Sequence, residues 1–281
     1  MIFLKFTDYD DTELKHLQNL ELMILKDFIH LCDKNNLDYY IYGGSLLGAV
    51  RHKGFIPWDD DIDMIMFRDD FEKFKEIFMA SDNDKYELLS YETNDEYFFL
   101  FSKLILKNTK FEEWWVNQVN FTVGINIDIF VLDYVSDSKI KGFFQVKSCR
   151  LLDKLSVLSV IKLEGYPFFI QLISNFINFI FRLFHIKPAT IRRPCLNLLC
   201  RYDNTKRVCD ISALNHPQIY NVDDFLNGTK IRFEDIEVNA PSNYHNILQQ
   251  IYGDYMKLPP EEERYNHITE NFDFGDYGIE K

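Results

Sequence analysis

Four aspartates stand in five positions, Asp59, Asp60, Asp61 and Asp63, and the last of them runs into the apolar stretch Met64–Phe67. Few features narrow a fold as much. Asp61–Phe67 (DIDMIMF) reads as a strand, and alternate side chains of a strand share a face. Asp61 and Asp63 then project together, with Asp59 as a further candidate, while Ile62, Met64 and Met66 turn to apolar packing. Carboxylates held this close repel unless a positive charge stands between them. Hard cations prefer oxygen ligands, so Mg²⁺ or Mn²⁺ is the expected partner. A bare D-x-D is ordinarily a solvated turn. One that opens an apolar strand soon after a glycine-rich turn points to a metal site instead.

That turn is Gly43–Gly44–Ser45, with Ser45 sixteen residues before Asp61. It follows a short strand candidate, Asp38–Tyr42, and precedes a helical stretch, Ser45–Arg51. Glycines let a ligand approach the backbone closely. A helix N-terminus offers free N–H groups to a phosphate, and Ser45 adds a hydroxyl. Between the two halves, Arg51 and Lys53 are candidates for binding nucleotide phosphates. His52 reads equally as a general acid or a surface histidine. Trp58, Trp114, Trp115 and Tyr42 either present aromatic faces to a cation or pack in the core.

A two-metal site needs a third carboxylate, and Asp128 is the best candidate. In Gly124–Leu132 (GINIDIFVL), Ile125, Ile127 and Ile129 form one strand face, and Asn126, Asp128 and Phe130 the other. A lone aspartate in so apolar a strand is costly unless it is paired, hydrogen-bonded or metal-bound. Asp133 is the second choice, at the expected strand end.

Around this centre the 281 residues alternate. Residues 12–34 keep helical spacing behind Asp10 or Asp11 as N-cap, and Asn35–Asn36 ends the pattern. Residues 69–80 are expected to be helical. Strands are expected at 86–91, 97–106 and 111–115, a helical block over 140–205, an extended segment at 230–238 and a helix near 242–252. The pattern implies an α/β or α+β core with a helical appendage. The expected units are a core at 1–138, a basic helical segment at 139–207 and a C-terminal segment at 208–281 that packs back. From Lys139 to Arg207, thirteen Lys and Arg face only Asp153, Glu164 and Asp203. That stretch is ten positive, which leaves twenty-three negative for the rest of a chain whose net charge is −13. An acidic body with a basic middle argues against general nucleic-acid binding and allows a local anion- or membrane-facing surface. Five scattered cysteines, an odd number with no C-x-x-C pair, argue against a disulfide scaffold or zinc ribbon. The opening MIFLKFTDYDD reaches acidic residues too soon for a signal peptide, so a cytoplasmic setting is expected.

The segment Gly44–Asp63 (GSLLGAVRHKGFIPWDDDID) resembles the signature of the LicD family, and more distantly the fukutin-type ribitol-phosphate transferases. Asp128–Asp133 (DIFVLD) is similar to the family's second motif, with Val131 where proline is common. Tyr252–Met256 (YGDYM) with Pro259–Pro260 is similar to its C-terminal motif. The resemblance implies a nucleotidyltransferase-type fold, a mixed β-sheet flanked by helices, in which the G-S turn and the D-x-D strand face a metal. It implies transfer of phosphocholine from CDP-choline to a sugar hydroxyl of a cell-surface glycan or its lipid-linked precursor. Carried over by position, Asp61 and Asp63 match the metal-binding D-x-D, Gly44 and Ser45 the phosphate turn beside Gly43, and Asp128 the third acidic position. Trp58, His52, Tyr252 and Asp254 are candidate choline or acceptor contacts. Arg264 and His267 are candidates for closing over the acceptor or capping the fold. Ribitol or glycerol phosphate as the transferred group, NMP transfer, and a non-catalytic module in glycan assembly are the competing readings.

One segment matches no motif. Gly165–Phe181 carries no charge, yet Gln171, Ser174, Asn175, Asn178 and Arg182 fall on one helical face, so it reads as amphipathic rather than spanning. Its apolar face is expected either to pack on the domain or to lie on a membrane surface, at the inner face of the plasma membrane.

Overall fold

The computed structural model describes residues 9–163, 166–212, 218–264, 266 and 269–278. Gly165 and His267 of the sequence reading lie outside the described residues. The first helix, α1 (Asp11–Lys34), starts on a full capping box. The Asp10 side chain accepts from the backbone N–H groups of Thr12 and Glu13, and the Glu13 side chain answers the Asp10 N–H. Such a cap contributes about 1 kcal/mol. Leu17, Ile24 and Phe28 are buried on one face, as the spacing demands.

In chain order there follow β1 (Tyr40–Ile41), α2 (Gly43–Arg51), β2 (Asp63–Phe67), α3 (Arg68–Ala80), β3 (Tyr86–Leu89), β4 (Ser102–Leu106), β5 (Lys110–Glu113) and β6 (Asn126–Val135). Three helices come next: α4 (Lys139–Val160), α5 (Phe168–Leu183) and α6 (Pro188–Leu199). The chain ends with β7 (Arg207–Asp210), β8 (Gln218–Asn221), β9 (Thr229–Phe233), β10 (Ile236–Ala240), α7 (Tyr244–Tyr252) and β11 (Thr269–Asp273).

Among the described residues seven strands form the main sheet in the order β1-β2-β6-β4-β3, with β7 also on β6 and β8 on β7. β2 and β6 run parallel; the other pairs are antiparallel, so the sheet is mixed and the class is α+β. β6 is the hub. Residues 128–132 pair with β2, 126–129 with β4 and 132–135 with β7. Ile125, Ile127 and Ile129 are buried with Ile62, Met64 and Met66 in the central core, as the alternation requires. The parallel β2–β6 pair sets two chain segments 65 residues apart side by side, and the active-site candidates sit at its start.

Several boundaries differ from the sequence reading. β1 holds two residues, and Tyr42 is the N-cap of α2, so the glycines start the helix rather than precede it. Asp61 lies before β2, so strand alternation does not govern it. Of the expected strand 97–106 only the second half forms, because Tyr97 and Phe98 are buried in a satellite aromatic cluster with Trp115. The segment 230–238 is a hairpin, β9–β10, turning at Glu234 with φ 52°. The strands β7 and β8 and their return to β6 carried no periodic signal in four residues each.

Candidate active site

The start of β2 is fixed from two sides. Tyr42 N–H donates to the Asp63 carbonyl at 3.0 Å, and Asp63 N–H donates to Ser45 Oγ at 2.9 Å. Ser45, almost fully buried, therefore ties α2 to the metal-strand candidate. The Asp63 carboxylate turns back onto the first turn of α2, where Gly44 N–H reaches its Oδ2 at 3.3 Å. Negative charge is favoured there, at the positive end of the helix.

The two glycines have a local reason to be glycine. Gly43 has φ +52°, and a Cβ on it would lie 2.3 Å from Asp63 Oδ2. A Cβ on Gly44 would lie 3.1 Å from Asp59 Oδ2. In this structure the glycines make room for carboxylates of the same site.

Asp59, Asp60 and Asp61 bring one carboxylate oxygen each to within 4.8 Å of one another. Asp60 is fully buried and accepts from the Tyr9 hydroxyl at 2.9 Å, and Gln18 of α1 donates to the Asp59 carbonyl at 2.9 Å. The acidic turn is thus held by the capped helix. On β6, Asp128 is the register partner of Asp63, and its N–H donates to the Ile62 carbonyl at 2.8 Å. The sequence reading grouped Asp61, Asp63 and Asp128. The structure sets Asp63 beside Asp128 on adjacent strands and draws Asp61 tightly to Asp59 and Asp60. Asp59, Asp60 and Asp61 crowd hard oxygen donors together beside the start of β2, and such donors suit Mg²⁺ or Mn²⁺.

Asp128 has a partner that the sequence reading missed. Lys103 of β4, 5% exposed, donates to Asp128 Oδ1 at 2.8 Å and to Asn126 Oδ1 at 3.1 Å, and lies 3.6 Å from Glu113. Burial pushes the Asp128 carboxyl up to about 6 against the downward pull of Lys103, and the charges of Glu113 and Asp61 add to the rise. Burial works against the Lys103 ammonium, yet Asp128 and Glu113 hold it charged well above the ordinary lysine range. A lone lysine in the apolar run FSKLIL is the same signal that singled out Asp128, and it was legible. Asp133 serves elsewhere: it is buried and takes a two-pronged ion pair from Arg68, both contacts at 2.8 Å.

The rim comes from α2 and the C-terminal segment. Burial raises the pKa of the Tyr252 hydroxyl at the end of α7, and the charges of Asp63, Asp59 and Asp61 raise it further. Arg51 donates to the Tyr255 carbonyl at 3.0 Å and to His52 Nε2 at 2.9 Å. Burial lowers the Arg51 pKa, the charge of Arg264 lowers it further, and Tyr252 and Asp59 act the other way. His52 is pushed down by burial and by Arg51, and it meets Trp58 edge-on at 6.4 Å. The Arg264 guanidinium lies 4.9 Å from the centre of the Trp58 ring. A cation of the chain itself thus meets the ring that is a candidate choline or acceptor contact. Trp115 and Tyr42 are core residues, with Tyr42 hydrogen-bonded to Tyr220, and Trp114 packs against the satellite cluster. Lys53 bends its amine back to the Val50 carbonyl at 3.2 Å, and Asp254 is exposed in the turn after α7.

Comparison with known proteins gives the class first. The profile of the LicD/FKTN/FKRP nucleotidyltransferase domain matches residues 36–148, which hold α2, β2, Lys103 and Asp128. Over those residues the chain is similar to the LicD family. Lipopolysaccharide cholinephosphotransferase LicD of Haemophilus influenzae is 27% identical over 278 residues, covering 91% of this chain and 96% of that protein. An uncharacterised protein of Rickettsia typhi is 46% identical over 69 residues, 25% of this chain and 22% of its own. Human ribitol 5-phosphate transferase FKRP is 53% identical over 32 residues, 11% of this chain and 6% of its own.

Proposed function

We propose that the chain is a metal-dependent transferase that moves phosphocholine from CDP-choline to a sugar hydroxyl of a cell-surface glycan or its lipid-linked precursor. The observation that carries the reading is the meeting of Asp63 and Asp128 on adjacent strands, at the first turn of a glycine-started helix and beside Asp59–Asp61. Similarity over nearly all of both chains to a lipopolysaccharide cholinephosphotransferase supports the transferred group and the acceptor class. Asp61, Asp63 and Asp128, with Asp59 alongside, are the residues to hold Mg²⁺ or Mn²⁺. When bound, such an ion neutralises charge on phosphoryl oxygens and lowers the pKa of an attacking hydroxyl.

In the reaction proposed, a sugar oxygen attacks the choline-bearing phosphorus in line, the P–O bond to CMP breaks, and the hydroxyl proton passes to a site carboxylate. The chain supplies position and charge. Ser45 locks β2 to α2, Gly43 and Gly44 let carboxylates reach the helix start, and Lys103 holds Asp128 in place. Arg51 stands on the rim, where a cation can meet the phosphates of the departing nucleotide.

Incubation with labelled CDP-choline, CDP-ribitol, CDP-glycerol and NTPs, each with Mg²⁺ and a glycan acceptor, tests the proposal. Label transfer from CDP-choline with CMP release supports it. Transfer from CDP-ribitol or CDP-glycerol alone would move the donor. Pyrophosphate release from an NTP would replace the reaction class.

A further inference from the structure

Helix α5 is built inside out. Its polar residues Ser174 and Asn178 are buried, and Asn178 Nδ2 reaches the carbonyls of Leu158, Ser159 and Val160 at the C-terminal end of α4. Phe168, Phe169, Leu172, Phe176, Phe179 and Leu183 point the other way and are 54–80% exposed. The amphipathic pattern of the sequence is present, but its apolar face does not pack on the domain. A stripe of this size in water marks an interaction surface.

Two further observations identify what covers it. First, the stripe lies in the ten-positive segment of a chain whose remainder is strongly acidic, and Lys162, Arg182, Lys187 and Arg193 of that segment are exposed, Lys187 lying 3.3 Å from Asp95. Second, a groove of about 620 Å³ runs along one flank of α5, lined by Lys162, Arg182, Gln171, Asn175 and Phe179. Cationic and amide donors beside an apolar wall match a phosphate headgroup above its acyl chain. A second copy of this chain is a poor occupant, because a two-fold interface sets the same basic patch against itself.

We infer that α5 docks the protein onto an anionic lipid surface, lying in the plane of the interface with its phenylalanines among the acyl chains and Lys162 and Arg182 at the headgroups. Among the described residues no single helix is long and apolar enough to cross a membrane. The one bent pair that passes on length and composition, α5 with α6, breaks by 101°, and α6 is fastened to the fold by buried Ile191, Arg192 and Cys195. The inference stands apart from the donor and the reaction, and either can fail without the other.

The test is co-sedimentation of the full chain with phosphatidylcholine vesicles and with vesicles that also contain phosphatidylglycerol. Binding is expected to the anionic vesicles and to weaken as salt rises. Phe169→Glu with Phe176→Glu, and separately Arg182→Glu, are expected to weaken it about tenfold or more. All three side chains are exposed, so thermal unfolding of the variants is expected to match that of the parent. Absence of vesicle binding, equal binding to both vesicle types, or variants that bind like the parent would overturn the inference. So would a concentration-dependent dimer in sedimentation velocity that Phe176→Glu abolishes.

Discussion

Replacing Gly43 by alanine puts the geometry of the site to a quantitative test. The residue sits at φ +52°, where an L-side chain costs about 1–2 kcal/mol. The new Cβ would stand 2.3 Å from Asp63 Oδ2, so the carboxylate must retreat by roughly 1 Å to restore ordinary contact. A shift of that size in a reacting constellation is worth about a hundredfold in rate. Gly44→Ala is the internal control: its φ is not in the left-handed region, and its Cβ would meet Asp59 Oδ2 at a milder 3.1 Å. Urea unfolding measures the stability of each variant, and CMP release from CDP-choline measures turnover. Gly43→Ala is expected to lose about 1–2 kcal/mol and about a hundredfold in rate. Gly44→Ala is expected to stay within about 1 kcal/mol of the parent, helped by alanine's better helix propensity, and to keep more activity. Full activity in Gly43→Ala, or a larger loss in Gly44→Ala, would refute the claim that close approach of Asp63 explains the glycine.

Asp61→Asn and Asp63→Asn are each expected to cut turnover by orders of magnitude with circular dichroism unchanged; a variant as active as the parent removes that residue from the site. Lys103→Met leaves Asp128 and Glu113 buried without their shared cation, so it should lower the unfolding free energy by about 3–5 kcal/mol; an unchanged urea midpoint contradicts the pairing. Asp27 is a pH-dependent clasp between α1 and β3. Burial works against its charge, but hydrogen bonds from Lys85 and Tyr86 outweigh it and lower the pKa. A lowered carboxyl stabilises the fold above its unfolded value and loses that contribution as pH falls through the folded value. The pair is half in solvent, so Asp27→Asn should cost only about 0.5–1 kcal/mol at pH 7 and progressively less as pH falls below the ordinary carboxylate range. A cost that does not shrink in acid speaks against the clasp.

How much of this was readable depended on what periodicity encodes. Asp128 was readable because a carboxylate in an isoleucine-rich strand demands a partner, and α1 because cap and apolar spacing agree. Lys103 carried the same kind of signal as Asp128, but pairing it across β4 and β6 needs the register, which local pattern does not give. D-x-D alternates like a strand, so the pattern puts Asp61 on one, whereas Gln18 of α1 and Tyr9 just before it hold the acidic turn through contacts distant in sequence. In α5 the pattern showed two faces and not which one turns inward. Burial of Asn178 against the end of α4 decides that, and only tertiary structure records it. Donor and acceptor came from resemblance, and residue chemistry alone reached no further than carboxylates, a helix start and a cation.

We propose that Asp61, Asp63 and Asp128 together hold the divalent cation that transfer requires. Manganese titration followed by electron paramagnetic resonance, with CMP release measured on the same samples, tests it most directly. The parent is expected to bind Mn²⁺, and Asp63→Asn and Asp128→Asn to bind it at least about tenfold more weakly, with CMP release falling in step. Equal Mn²⁺ binding in parent and variants, or undiminished CMP release in excess EDTA, would contradict it.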